Sequence, residues 1–226
     1  MAITTSDGLV RALATCQPVP FYKTGTTAEA AGVLHATIFQ TGTPGAVTAP
    51  SPGVNGAAVT SATAGFIPFI DASVGNQKYL GAWEMSGALT CGLILCDMLW
   101  WNSGINVTTT TGQSISAATM ASRDANGSTD GEGVEAGILV STATTNGSAI
   151  TNTTFTYTNS YGGGAIHLVL FRRLSMLSVM TANLGQTRNF FDAGCKMWNG
   201  SAPFILQIPT GTSSGNLTGQ FRFIEG

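Results

Sequence analysis

Apolar and polar positions alternate with a period of two through residues 79–85, where Tyr79, Gly81, Trp83 and Met85 fall on one side and Leu80, Ala82 and Glu84 on the other. That is the spacing of a half-buried strand. Residues 89–101 are almost continuously apolar and predict a central strand buried on both faces. Alternation returns at Val134, Ala136, Ile138 and Val140, and further strand signals follow at 153–157, 165–171, 203–208 and 217–224. Residues 174–182 satisfy either a short helix or another strand. Seven or eight short strands separated by Gly, Asn and Ser predict an all-β fold, an antiparallel sandwich of jelly-roll-like kind. The abundant threonine agrees, because its branched Cβ favours extended backbone.

The first thirty residues read differently. Ser6 or Asp7 is placed to cap a short helix over 8–15, with Leu9, Val10 and Leu13 on one face. Pro18 and Pro20 then force extended chain. Residues 1–30 are therefore expected to be an arm, and 31–226 a single sandwich domain. Within that domain, residues 42–65 carry Pro44, Pro50 and Pro52 and are too proline-rich for a helix or a central strand. A loop of more than about 15 residues is usually functional or ordered by a partner. No repeat of 20 to 50 residues is visible.

Composition narrows the function. Charged residues are 9% of the 226, against about 25% in an average soluble domain, and Gly, Ser and Thr exceed a third. Nine basic and eleven acidic residues leave a net charge of −2 with no basic run, which excludes a nucleic-acid protein held by phosphate contacts. The 43% hydrophobic content and mean hydropathy of +0.23 are too apolar for a disordered chain. No apolar run reaches the length of a membrane-spanning helix, and the first residues lack the pattern of a secretory signal. The expectation is a protein made in the cytoplasm of its host, without a membrane partner. Cys16, Cys91, Cys96 and Cys195 are too scattered for a disulfide framework. Cys91 and Cys96, five apart, would point to opposite faces of a strand.

The residue types allow three chemistries. Residues 211–215 spell G-x-S-x-G, but a nucleophile elbow needs a strand before it and a helix after it. Here a strand pattern follows, so a hairpin turn is expected. His35 and His167 sit in apolar alternations and read as structural. Second, Asp124, Asn126, Ser128, Asp130, Glu132 and Glu135 supply oxygen ligands at the spacing of a calcium loop. Thr129 stands where such a loop needs glycine, and the default is a solvated acidic turn. Third, the dispersed carboxylates Asp71, Glu84, Asp97 and Asp192 could pair for glycoside cleavage; nothing in their spacing favours it. Trp83, Trp100, Trp101 and Trp198 could stack on sugars, although their setting points to core. No catalytic residue, cofactor or enzymatic activity is expected.

The shortage of charge carries most weight. Sheets guard open edges with lysine, proline or bulges, and interface centres are depleted in charge. A surface of Thr, Ser, Gly, Ala and Asn suits a part hemmed in by copies of itself or by a partner. Residues 21–32 running on to 42–45, 99–105, 165–174 and 206–215 resemble a family of tailed-bacteriophage virion structural proteins. Relatives carry extra sequence between Ser160 and Tyr161, so this chain is shorter by about a hairpin. Small β-sandwich proteins of phage heads commonly act as decoration or cement. The resemblance thus implies a capsid decoration protein on the virion surface, forming homo-dimers or homo-trimers and bridging major capsid protein subunits. Phe21 and Tyr22 are the expected arm anchors, with Pro44, Pro50 and Pro52 as a rigid docking loop. The rival reading is a carbohydrate-binding host-recognition module of a tail or head fibre.

Overall fold

The computed structural model describes residues 3–27, 29–50, 56–69, 73–76, 78–103, 111–113, 122–124, 128–139 and 202–226, and the backbone of 169–180 and 188–190. The helix α1 spans Ser6–Thr15, and a 3-10 turn spans Thr37–Phe39. The strands are β1 Pro18–Lys23, β2 His35–Ala36, β3 Gly42–Thr43, β4 Ala57–Ala58, β5 Lys78–Gly87 and β6 Cys91–Trp101. They continue as β7 Glu135–Gly137, β8 Val169–Met180, β9 Arg188–Phe190, β10 Pro203–Pro209 and β11 Leu217–Glu225.

These strands form two antiparallel sheets. One runs β3-β1-β11-β5-β9, and the other β2-β10-β6-β8-β7, with β4 pairing the end of β6. The pairing is nested: β1 with β11, β2 with β10, β5 with β9 and β6 with β8. Chain segments far apart in sequence therefore meet first-to-last, and each inner pair lies inside the outer one. The links β5 to β6 and β10 to β11 both pass from one sheet to the other.

Burial follows from this layering. A single cluster joins Phe21, Leu80, Trp83, Met85, Leu217 and Phe221 of the first sheet to Cys91, Leu93, Leu95 and Ile205 of the second. A separate cluster lies on the other side of β6, where Ile94, Cys96, Met98 and Trp101 meet Phe204, Ile38, Val59 and Phe66. Every residue of β6 is consequently buried, which is why its sequence shows no polar alternation. Cys91 and Cys96 do face opposite clusters, and neither forms a disulfide.

The structure corrects four expectations. The helix starts two residues earlier, with Thr5 as its cap; the Thr5 hydroxyl accepts from the Gly8 amide at 3.1 Å. Residues 18–23 are not an arm, because β1 pairs with β11 along its whole length. Its two prolines are tolerated because β3 covers only Tyr22 and Lys23, leaving the Pro18–Pro20 stretch an open edge where missing N–H groups remove donors that would recruit another strand. Residues 211–215 do not close a hairpin, since β10 and β11 belong to different sheets. The described parts of the proline-rich stretch, 42–50 and 56–65, do not all lie at the surface: Val59 is fully buried, and Val47, Ala49 and Ala57 pack against the same cluster. The ambiguous stretch from 174 is strand through Met180. The predicted strand at 153–157, and Asn126, Pro52, Val140, His167, Cys195 and Trp198, lie outside the described residues.

Candidate functional site

Two of the proposed docking residues, Phe21 and Tyr22, are neighbours on β1, next to the edge strand β3 of the first sheet. Alternation along β1 sends Phe21 inward and Tyr22 outward. Phe21 is 2% exposed and meets Phe221 edge-on at 5.8 Å between ring centroids. Phe21 is thus a core residue and corrects the expectation of a free anchor. Tyr22 is 39% exposed and stands opposite Thr43 of β3, next to the half-buried Pro44. Pro50 sits elsewhere; its carbonyl accepts from the Ser103 hydroxyl just past β6. Tyr22 and its cross-strand partner Thr43 are both exposed, Pro44 follows just past β3, and Pro50 is a structural contact.

Behind Tyr22 lies a buried cation. Lys23 is 1% exposed, and its Nζ donates to Gln40 O at 3.1 Å and Gly45 O at 3.2 Å. These bonds tie β1 to the chain that leads into and out of β3. Burial without a facing carboxylate lowers its pKa from 10.5 to about 8. Between those values the unfolded chain binds the proton and the folded chain does not, so stability rises with pH across that window. Relative to Lys23→Met, the native protein should gain about 2–3 kcal/mol between pH 7 and 10.5. Urea melts of both proteins across that range check this; parallel pH profiles would mean that the ammonium is not desolvated.

The acidic stretch is organised by its own backbone. Asp124 is 1% exposed, and its carboxylate accepts from the amides of Ser128 (2.6 Å), Gly131 (3.1 Å) and Glu132 (3.3 Å) and from the Ser128 hydroxyl (2.6 Å). Those donors occupy the oxygens a cation would need. Asp130 and Glu132 point to the exposed side, and Glu135 opens β7. In the described part of the loop, Asp124 is thus held by backbone amides of the turn that follows, while Asn126 of the candidate calcium set lies outside the described residues. Among the described residues no group of three His, Cys, Asp or Glu side chains is placed to hold a metal.

The neighbouring Arg123 enters the interior. Its Nε and Nη2 donate to Asp97 Oδ2 and Oδ1, each at 3.2 Å, and Nη2 also reaches the carbonyls of Val59 and Met98 at 2.9 Å. Asp97, wholly buried in β6, accepts in addition from the Ala202 amide at 2.8 Å. One ion pair thus joins the 122–139 segment, the proline-rich stretch, β6 and the entry to β10. Sequence reasoning treated Asp97 as a lone carboxylate; its position inside the most apolar strand was the available sign that a buried cation had to face it.

The remaining candidates are structural too. Glu84 bonds Gln220 and lies 3.8 Å from Arg222 Nε in the first sheet, whereas Asp97 is in the second. They are not a catalytic dyad. Trp83, Trp100 and Trp101 are at most 4% exposed and offer no stacking platform. Ser213 and Ser214 of the G-x-S-x-G string lie in the arch between sheets, with Ser214 accepting from the Thr26 amide at 3.0 Å rather than facing a base. Against known proteins, the chain matches no family model, no curated protein and no solved structure.

Proposed function

We infer that this chain is a capsid decoration (cement) protein of a tailed phage, working as a homo-dimer or homo-trimer on the outer surface of the head. In this reading the two sheets β1-β11-β5-β9 and β2-β10-β6-β8 are the halves of a jelly roll, an architecture used by viral capsid and lectin domains. The nested pairing of first strand with last supports it. One observation carries the functional reading: charges make up only 9% of the chain, and several of those in the described residues are buried or paired. Lys23 and Arg123 are buried, Lys78 lies 3.8 Å from Glu225, and Arg222 lies 3.8 Å from Glu84. Among the described residues the exposed positions are mainly Thr, Ser, Gly and Ala, with few charges and isolated residues such as Tyr22, a surface suited to permanent cover by neighbours.

Each copy would rest Tyr22 and Pro44 on major capsid protein, bridging two subunits. A contact of ordinary size buries about 800 Å² per partner, and binding that favours the mature shell stabilises it by mass action. Replacing Tyr22 by alanine should weaken attachment to purified shells at least tenfold, as loss of a central aromatic anchor does. The Tm of the isolated protein should move by no more than about 2 °C, because Tyr22 is exposed. Pull-down with shells and a thermal melt measure the two. The location is tested by counting copies per particle by quantitative mass spectrometry. A decoration protein repeats with the symmetric lattice, on the order of hundreds of copies. A count of a few tens or fewer would move the chain to a fibre or the tail and end this reading.

A further inference from the structure

Among the described residues, three side-chain oxygens sealed from solvent accept no hydrogen bond: Glu29 Oε2, Gln40 Oε1 and Gln207 Oε1. Their residues form one cluster at the end of the molecule where the chain arches between sheets. Gln40 Nε2 lies 3.5 Å from Glu29 Oε1 and 3.4 Å from Ser214 Oγ, and Gln207 Nε2 donates to Ser214 O at 2.5 Å. His35 stands opposite Gln207 in the β2–β10 ladder, with Nδ1 3.9 Å from Glu29 Oε1 and Nε2 3.3 Å from Ala30 O.

The surrounding backbone is firmly held. Ser214 N donates to Thr26 O and Glu29 N to Thr212 O, both at 3.3 Å. A Cβ on Gly25 would lie 2.4 Å from the Gly215 carbonyl carbon, and Gly215 itself has φ of +65°, so both positions require glycine for the approach. Gln40 and Gln207 are 7% and 0% exposed, and the Glu29 side chain 9%.

A sealed oxygen without a donor keeps its full desolvation cost, and a carboxylate oxygen more so. All three unmet groups are acceptors, so the missing component brings positive charge or donors. Lys23, the buried cation on the adjoining strand, has committed Nζ to Gln40 O and Gly45 O. Carboxylate and amide oxygens together are the ligand set of a hard cation, which accepts Gln carbonyls readily and thiolates poorly. We propose that this cluster binds a calcium-class cation through Glu29 Oε2, Gln40 Oε1 and Gln207 Oε1, clasping the 24–35 segment to β10 and the 210–216 arch.

The test uses the full chain, stripped with chelator, melted in chelator and then with Ca²⁺, Mg²⁺ or Na⁺ alone. Ca²⁺ at about 100 times its Kd should raise the Tm by roughly 5–10 °C, and atomic absorption should count one Ca²⁺ per chain. Glu29→Gln should abolish most of the rise, and Gln207→Leu should weaken Ca²⁺ affinity, while Asp130→Asn with Glu132→Gln should leave both unchanged. The proposal is overturned if no cation shifts the Tm and none is counted, which would leave an ordered water in the cluster. It is equally overturned if Glu29→Gln keeps the native response, or if the acidic-loop variant loses it. Direct counting on Gln207→Leu decides the matter should Glu29→Gln not fold.

Discussion

Replacing Asp97 by alanine is expected to cost about 3–5 kcal/mol of folding free energy, the price of stranding a buried charge. Arg123 would keep its bonds to the Val59 and Met98 carbonyls but lose both carboxylate oxygens, and the Ala202 amide would lose its acceptor. No water reaches the site to compensate, because Asp97 is wholly buried and Arg123 is 7% exposed. A loss of this size lowers the Tm of a chain this long by roughly 10 °C or more. The pair need not be the most stable filling of its space. Asp97→Leu combined with Arg123→Met removes both charges together and should recover most of the loss, as paired apolar replacements of buried ion pairs commonly do. Urea unfolding of the two single variants and the double variant measures the coupling. A single Asp97→Ala loss below about 1 kcal/mol would show that the pair does not organise the interior.

The second large effect is at Phe221, where alanine should cost about 3–5 kcal/mol. Its ring stacks on Trp83 at 6.0 Å with 9° between planes, meets Phe21 edge-on at 5.8 Å and lies 6.3 Å from Phe223. Three strands of the first sheet, β1, β5 and β11, thereby share one aromatic contact, and their inner face is what covers the second sheet. Removing the ring leaves a cavity between elements whose backbones are fixed by long antiparallel ladders, so little collapse can offset it. Phe223→Ala should cost less, since Phe223 is only partly buried at the margin of the same cluster. Thermal melts with near-ultraviolet circular dichroism follow both; equal losses at the two positions would contradict this account of the core.

Periodicity read the long strands well, for reasons visible in individual residues. The run through Leu93, Ile94 and Leu95 is unbroken because β6 is covered on both sides, and Trp83 and Met85 alternate with Glu84 because one face of β5 meets the core and the other does not. The edges were harder. Pro18 and Pro20 read as the extended chain of an arm, yet they belong to a six-residue strand open on one side; its partner β11 lies about two hundred residues along the chain, a pairing that no local window contains. Val47, Val59 and Phe66 cover the second sheet from irregular backbone, so their burial leaves no period to detect. Turn chemistry at 211–215 is the same for a hairpin and for an arch between sheets; only the strand order separates them. Of the docking residues, Tyr22 could be separated from Phe21 once β1 was known to be a strand, because neighbours on a strand face opposite ways. The polar cluster around Ser214 draws on four separate segments and carries no contiguous signal.

The functional account rests on a chain poor in charge whose surface is covered by neighbours in an assembly. Heating purified particles with and without this chain, while following DNA release and the proteins that leave the shell, tests it most directly. Particles carrying the chain should burst at a temperature higher by several degrees, and adding the purified protein back to stripped particles should restore the difference. Equal burst temperatures with and without the chain, at full occupancy, would contradict the account.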